Sequence, residues 1–343
     1  MIDFRSDTVT KPTDTMREAM LKAIVGDDVY EDDPTIKKLE KLAAKILHKE
    51  ASLFIPSGTM GNQIAIMTHT NRGDEIIVGA HSHIKTYEVG AAAVLSGVSY
   101  HVVSEQRGAL DVEEVRNGIR GEDIHFPKTS LICMENAHGS GVVASLDTME
   151  AIFKIAQENN IKTHLDGARI FNAAVHLNVE PYKIAQYADS IMFCLSKGLS
   201  SPIGSLLVGT EAFIKRARKY RKMLGGGMRQ VGVLGATGLI SLNDMTKRLY
   251  IDHENAQYLA KQLSQYPQFE VNFNALDINM VFVKLNLNQK AFTEYMKKRN
   301  ILLGGYKETY MRLACHNDIT KDQIDTFLEE VRHYLKIHHA SKD

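Results

Sequence analysis

The sequence lacks a surplus of charge of either sign: Lys+Arg and Asp+Glu both number 41 among 343 residues, for a formal net charge of +0. With no standing field, nothing marks nucleic acid or an anionic membrane surface as a partner. Cysteine is scarce. Cys133, Cys194 and Cys315 are odd in number and far apart, and two sit in apolar runs where a thiol behaves as a small hydrophobe, so no disulfide is expected. No stretch approaches the roughly 18 apolar residues of a membrane span. Residues 1–7 have neither the apolar core of a secretory signal nor the acid-poor character of a transit peptide, and a cytoplasmic address is expected. Metal-ligand spacings such as HExxH or paired CxxC are absent, so the 14 histidines do not indicate a metal site. Internal repeats, low-complexity tracts and long linkers are absent as well. What remains is a chain with 44% hydrophobic and 24% charged residues, ordinary for a folded protein and long enough for a large core.

Short apolar runs at 53–55, 75–78, 98–103, 130–134, 161–165, 190–195 and 205–208 alternate with helical spacing or polar turns. Several are nearly continuous in apolar residues, as strands buried on both faces are, which predicts an α/β unit with a mostly parallel, seven-stranded sheet. Asp33 before Pro34, followed by Ile36, Leu39, Leu42, Ala43, Ile46 and Leu47, predicts a capped amphipathic helix. After residue 250 the pattern becomes helix (251–265), strands (269–273 and 278–285), helix (288–299), strands (301–314) and a last helix opened by a Thr320/Gln323 capping box. The division expected is a large unit over 1–250 and a smaller α+β unit over 251–343. The basic segment 214–230 reads either as an irregular crossing between the two or as a solvated helix and a flexible turn.

Beyond the carboxyl ends of strands in such sheets lies the usual ligand crevice. Lys197, in Ser196-Lys197-Gly198 after an apolar strand, is placed there, and a desolvated lysine can act as a Schiff-base nucleophile, although a lone lysine after a strand is commonly a solvated loop group. Asp166 and Arg169 follow the preceding strand, and a carboxylate there can pair with a pyridine nitrogen and so strengthen an electron sink. The turn at 56–62, rich in small residues, opens a helix expected to run from near Asn62, and its backbone N–H groups suit a phosphate, although a plain strand-helix turn has the same pattern. His81 and His83 follow another strand end, where an imidazole can lie against a ring. Ser6, Arg169 and Arg312 are candidates to grip a carboxylate.

Together these segments resemble the low-specificity L-threonine aldolases, along nearly the whole chain: FRSDTVTKPT at 4–13, VGDDVYEDDP at 25–34, PSGTMGN at 56–62, HLDGAR at 164–169, LSKGL at 195–199 and GGGMRQ at 225–230. The resemblance implies the aspartate-aminotransferase-like fold (fold type I) and pyridoxal 5'-phosphate as cofactor, carried as a Schiff base on Lys197. By the same resemblance Asp166 pairs with the ring nitrogen, Gly58 and Thr59 hold the phosphate, His83 stacks on the ring, and Ser6, Arg169 and Arg312 bind an amino-acid substrate's carboxylate. Arg229 would reach a phosphate in a neighbouring subunit, within a homotetramer (dimer of dimers) that shares its active sites. The reaction implied is cleavage of threonine or allo-threonine to glycine and acetaldehyde, with His83, His125 or a water they hold as the base. A β-eliminating lyase of the same fold would use the same lysine, aspartate and phosphate turn, and a catalytically silent carrier is the other alternative. Two departures bear on substrate choice: Lys85 stands where relatives often carry an aromatic residue, and Ser140 interrupts a Gly-Gly at 139–141.

Overall fold

The computed structural model describes residues 1–307 and 309–339. Its main sheet has seven strands, in spatial order Ala51–Ile55, Ser205–Gly209, Ser190–Cys194, Lys162–Asp166, Thr129–Glu135, Glu75–Gly79 and Ser99–Val103. Only Ser205–Gly209 runs antiparallel to its neighbours. The other pairings are parallel, as the buried runs led us to expect. Glu75–Gly79, Ser190–Cys194 and Ser205–Gly209 are buried at every position, whereas Ser99–Val103 lies at an edge and is largely open, which explains its more polar composition.

Registers bring the strand ends into line. Glu135 pairs with Asp166, Asp166 with Met192, and both Cys194 and Ile55 with Ser205. The chain therefore leaves Ile55, Gly79, Glu135, Asp166 and Cys194 along one edge of the sheet, where the segments bearing Gly58 and Thr59, His83, Asp166, Arg169 and Lys197 begin.

Helices cover the sheet where the sequence supplies caps and an apolar stripe. Asp33 accepts from the N–H groups of Thr35 and Ile36, both at 3.0 Å, at the start of Pro34–Ile46, whose Ile36, Leu39 and Ala43 are buried. Residues 214–230 are mostly the helix Glu211–Met223 followed by a turn, not an irregular crossing: Phe213, Ile214 and Ala217 supply an apolar face that packs with Leu53, Ile64 and Leu207.

The C-terminal part has its own sheet of four antiparallel strands, Phe269–Val271, Met280–Leu285, Tyr310–Ala314 and Tyr306–Lys307, and its own apolar core. Thr320 and Gln323 close the capping box in both directions, at 3.0 and 3.3 Å. Residues from the far N-terminus join this core. Ile2–Asp3 pairs in parallel with Ile301–Leu302, Phe4 is fully buried against Phe327, and Phe4 accepts from the Ala314 N–H at 2.9 Å. The segment that follows, from residue 5, therefore emerges between the two sheets.

Candidate active site

A cavity of about 610 Å³ opens along the strand-end edge and is lined by Lys197, Asp166, Gly58, Thr59, His83, Ser6, Arg169 and Arg312 among others. Eight residues expected from sequence thus share one space. His125 and Arg229 do not reach it within their own chain. His125 sits on an exposed loop with its ring on Asp123 at 2.7 Å, and Arg229 lies on the surface with Nη1 donating to Asp27 at 2.9 Å.

Local backbone explains how the lysine and the phosphate turn are aimed. After Cys194 the chain folds into a tight loop in which Ser201 N–H donates to the Leu195 carbonyl at 3.0 Å, and Thr10 Oγ1 donates to the Lys197 carbonyl at 2.9 Å. The helix Gly58–His69 starts one turn before the position read from sequence because Ser57 Oγ accepts from Met60 N–H at 3.2 Å. Gly58 and Thr59 then contribute leading N–H groups that a helix cannot satisfy internally, at its electropositive end. A Cβ on Gly58 would lie 3.0 Å from Cys194 Sγ and 3.1 Å from Met192 Cε, so a larger residue would have to push these side chains aside for the turn to seat as close on the sheet.

Asp166, 2% exposed, accepts from Ala168 N–H at 3.0 Å on one oxygen and from Asn62 Nδ2 at 2.8 Å on the other. The same Nδ2 donates to Glu88 Oε1 at 2.8 Å, and that oxygen also lies 2.8 Å from His83 Nδ1. Gln63 Nε2 completes the Glu88 shell at 2.6 Å. The hydrogen bond to Glu88 raises the His83 pKa above the ordinary imidazole value, against the opposing effect of burial. With Nδ1 committed to Glu88, Nε2 is the nitrogen of His83 left to exchange a proton.

The residues expected to form a carboxylate clamp surround a buried ion pair. Arg169 Nε and Nη2 donate to the two Asp7 oxygens at 2.7 and 2.6 Å, with Asp7 fully buried. Burial alone would raise the Asp7 pKa, but Arg169, by charge and hydrogen bond, holds it well below the usual carboxylate range, with Lys197 and Arg312 adding to the effect. Arg312, whose Nη2 donates to the Arg5 carbonyl at 3.3 Å, has its pKa lowered by burial and by the like charge of Arg169. Two guanidinium groups thus border one space, and one of them is paired with a buried carboxylate of the protein. That is a positive pocket suited to a further carboxylate.

Another titratable group lines the cavity near His83. His138 Nε2 lies 3.4 Å from Glu105 Oε1 and 3.9 Å from Glu135 Oε2. Glu135, whose side chain is 9% exposed, accepts from the N–H groups of His83 at 2.7 Å and Gly139 at 2.8 Å, and burial raises its pKa.

Sequence reasoning missed Asp7, Glu88, Asn62 as an individual residue, His138 and Glu135. None belongs to a spacing that names its chemistry, since each finds its partner through the fold. One signal was present: Asn62-Gln63 precedes Ile64-Ala65-Ile66-Met67 on a helix that is buried from Gly61 to Thr68, and a buried amide needs a partner.

Comparison with known proteins agrees with this geometry. Residues 3–286 match the family model described as beta-eliminating lyase. The low specificity L-threonine aldolase of Escherichia coli strain K12 is 43% identical over 337 residues, covering 98% of this chain and 99% of that protein. Low-specificity L-threonine aldolase 1 of Arabidopsis thaliana is 42% identical, covering 94% and 93%. Among solved structures, a Leishmania major threonine aldolase superimposes with a TM-score of 0.85 at 19% identity, covering 97% of this chain and 99% of that one. A Sphingomonas wittichii serine palmitoyltransferase shares the fold with a TM-score of 0.76 at 13% identity, covering 96% and 86%. By sequence match along almost its whole length, this chain belongs to the low-specificity L-threonine aldolase family.

Proposed function

We propose that this chain is a pyridoxal 5'-phosphate-dependent aldolase that cleaves the Cα–Cβ bond of L-threonine, L-allo-threonine and related β-hydroxy-α-amino acids, giving glycine and, from threonine, acetaldehyde. The observation that carries the reading is the cavity in which Lys197 and Asp166 face a pair of guanidinium groups, Arg169 and Arg312. The donor set fits the cofactor: an amine to link to, a carboxylate for the ring nitrogen, the N–H groups of Gly58 and Thr59 for a phosphate, and the His83 ring to lie along it. When bound, the coenzyme supplies an electron sink for the pair released from the broken bond.

The chain's own residues do the rest. Ser6, Arg169 and Arg312 hold the substrate carboxylate and so decide which bond at Cα stands ready to break. His83 takes the β-hydroxyl proton on Nε2, with Glu88 fixing the tautomer through Nδ1. Of the two histidines considered, His83 is preferred because it borders the cavity. His125 and Arg229 are assigned to a neighbouring subunit's site within a homotetramer. Exposed Leu21, Ile24, Tyr30 and Met223, on segments flanking Arg229, support such an interface. The division into 1–250 and 251–343 belongs to the same proposal, supported by an apolar core drawn mostly from residues after 250, which Ile2 and Phe4 join. A cytoplasmic address agrees with three buried, free thiols. No helix of the described residues is long and apolar enough to cross a membrane.

The test is direct. Purified protein with pyridoxal phosphate, given L-threonine and L-allo-threonine, should release acetaldehyde and glycine in equal amounts. Pyruvate and ammonia from a β-substituted amino acid, with no acetaldehyde from either threonine, would make it a β-eliminating lyase instead, and a coloured but inert protein would make it a carrier.

A further inference from the structure

Behind Asp166, starting from Asn62 in the cavity wall, runs a line of polar side chains that the reaction does not use. Asn62 Oδ1 lies 3.1 Å from His164 Nε2, His164 Nδ1 lies 2.9 Å from Ser190 Oγ, and Ser190 Oγ lies 2.8 Å from His69 Nε2. Regular structure makes the line. Asn62 and His69 are two helical turns apart on Gly58–His69, His164 and Asp166 point to the same face of one strand, and His164 is the cross-strand partner of Ser190. His69 closes the line by stacking on Phe213, with ring centroids 4.6 Å apart and planes inclined by 19°.

The chemistry of the groups sets the direction of every bond. Asn62 Oδ1 can only accept, so His164 Nε2 carries the hydrogen and Nδ1 is bare. A bare Nδ1 requires Ser190 to donate, and the Ser190 oxygen then accepts from His69. Asn62 is left with both amide hydrogens pointing the other way, onto Asp166 and Glu88. A reversed amide would set its oxygen against two carboxylates.

We propose that His164 is a positioning residue, locked by Ser190 and His69 into one tautomer, that fixes the Asn62 amide and through it the hydrogen bonding of Asp166, the residue that pairs with the coenzyme ring. The inference rests on the coenzyme assignment of the preceding subsection. Burial supports it by keeping the ring neutral: the His164 pKa is held down to about 4 and that of His69 to about 3, with desolvation the main cause in each.

Three variants at one position separate the lock from simple packing. In His164→Gln the terminal amide reaches where Nε2 stood and still donates to Asn62. His164→Asn stops short and meets Ser190 alone, and His164→Leu offers neither bond. Coenzyme dissociation constant, the pH titration of the visible absorbance, and kcat and KM are measured for each. We expect His164→Gln to match the parent, and His164→Asn and His164→Leu to weaken coenzyme binding about tenfold and lower kcat with the substrate KM unchanged, since the clamp is elsewhere. Parent-like affinity and spectrum in His164→Leu or His164→Asn, or a His164→Gln protein as impaired as His164→Asn, overturns the proposal. Should His164→Leu not fold, Ser190→Ala removes the hydroxyl donor and leaves the ring, and an unchanged absorbance titration then overturns it. If the parent protein binds no pyridoxal phosphate, the coenzyme assignment fails by itself. The lock is then read by nitrogen NMR of the His164 ring, where a ring that protonates near the ordinary imidazole value overturns it.

Discussion

Replacing Asp7 with alanine tests the clamp at its base. The carboxylate is fully buried and makes two charge-assisted hydrogen bonds of 2.7 and 2.6 Å to Arg169, itself 8% exposed, with Arg312 close by. Its removal leaves a buried cation uncompensated beside another cation. Breaking one side of a buried pair costs about 3–5 kcal/mol. An unfolding entropy of about 2.1 cal/mol/K per residue gives on the order of 0.7 kcal/mol/K for 343 residues, so the expected loss in Tm is roughly 4–7 °C. The pH dependence is fixed by sign. Asp7 has a depressed pKa when folded, so its contribution is present above the unfolded carboxylate value of about 3.9 and is lost as pH falls through the folded value. The gap between parent and Asp7→Ala should therefore be constant from neutral pH down to about 5 and shrink only below about 4. Thermal unfolding at several pH values measures it, with formate added in a parallel series. Formate should recover part of the loss by sitting between the two guanidinium groups, and KM for the amino acid should rise because Arg169 is no longer held. An Asp7→Ala protein with parent Tm and parent KM would refute the claim that this pair organises the site.

Three more expectations follow from the same geometry. Lys197→Ala should abolish both turnover and the visible absorbance of covalently held coenzyme, and full activity in that variant would remove the lysine from its role. His83 must be unprotonated to accept a proton, so kcat/KM should fall toward acid through a pKa above the ordinary imidazole value; Glu88→Gln, which removes the acceptor responsible for the rise, should move that limb to lower pH, and an unmoved limb would point to another base. Arg312→Leu should raise KM for amino-acid substrates about tenfold or more with a smaller effect on coenzyme affinity, measured by steady-state kinetics beside a coenzyme titration.

Strand positions were legible because strands buried on both faces are written as unbroken apolar runs, and the exit residues Asp166 and Lys197 could be read as soon as those runs ended. Spatial order was not. That Ala51–Ile55 lies beside Ser205–Gly209 depends on crossovers that leave no mark in either segment. The helix after Ser57 was placed a turn late because glycine and threonine argue locally against a helix, and the serine cap outweighs them. The roles of Asp7, Glu88 and His164 were illegible because only the fold supplies their partners: Arg169 for Asp7, Asn62 and the nearby His83 for Glu88, and Ser190 for His164.

The pairing of Ile2–Asp3 with Ile301–Leu302 places the beginning of the chain against almost its end, immediately before the residues that hold Arg169. During synthesis the seven strands of the main sheet can all be made while the segment bearing Ser6 and Asp7 still has no strand to dock on. Contacts of such sequence separation form late and slowly. A truncated product lacking residues beyond 300 would keep Lys197, Asp166 and the phosphate turn but lose Arg312 and the anchor for the N-terminal segment. On the proposed assignment, the substrate clamp is complete only once residues 301–312 are made, and a copy that stops before them could not orient a substrate.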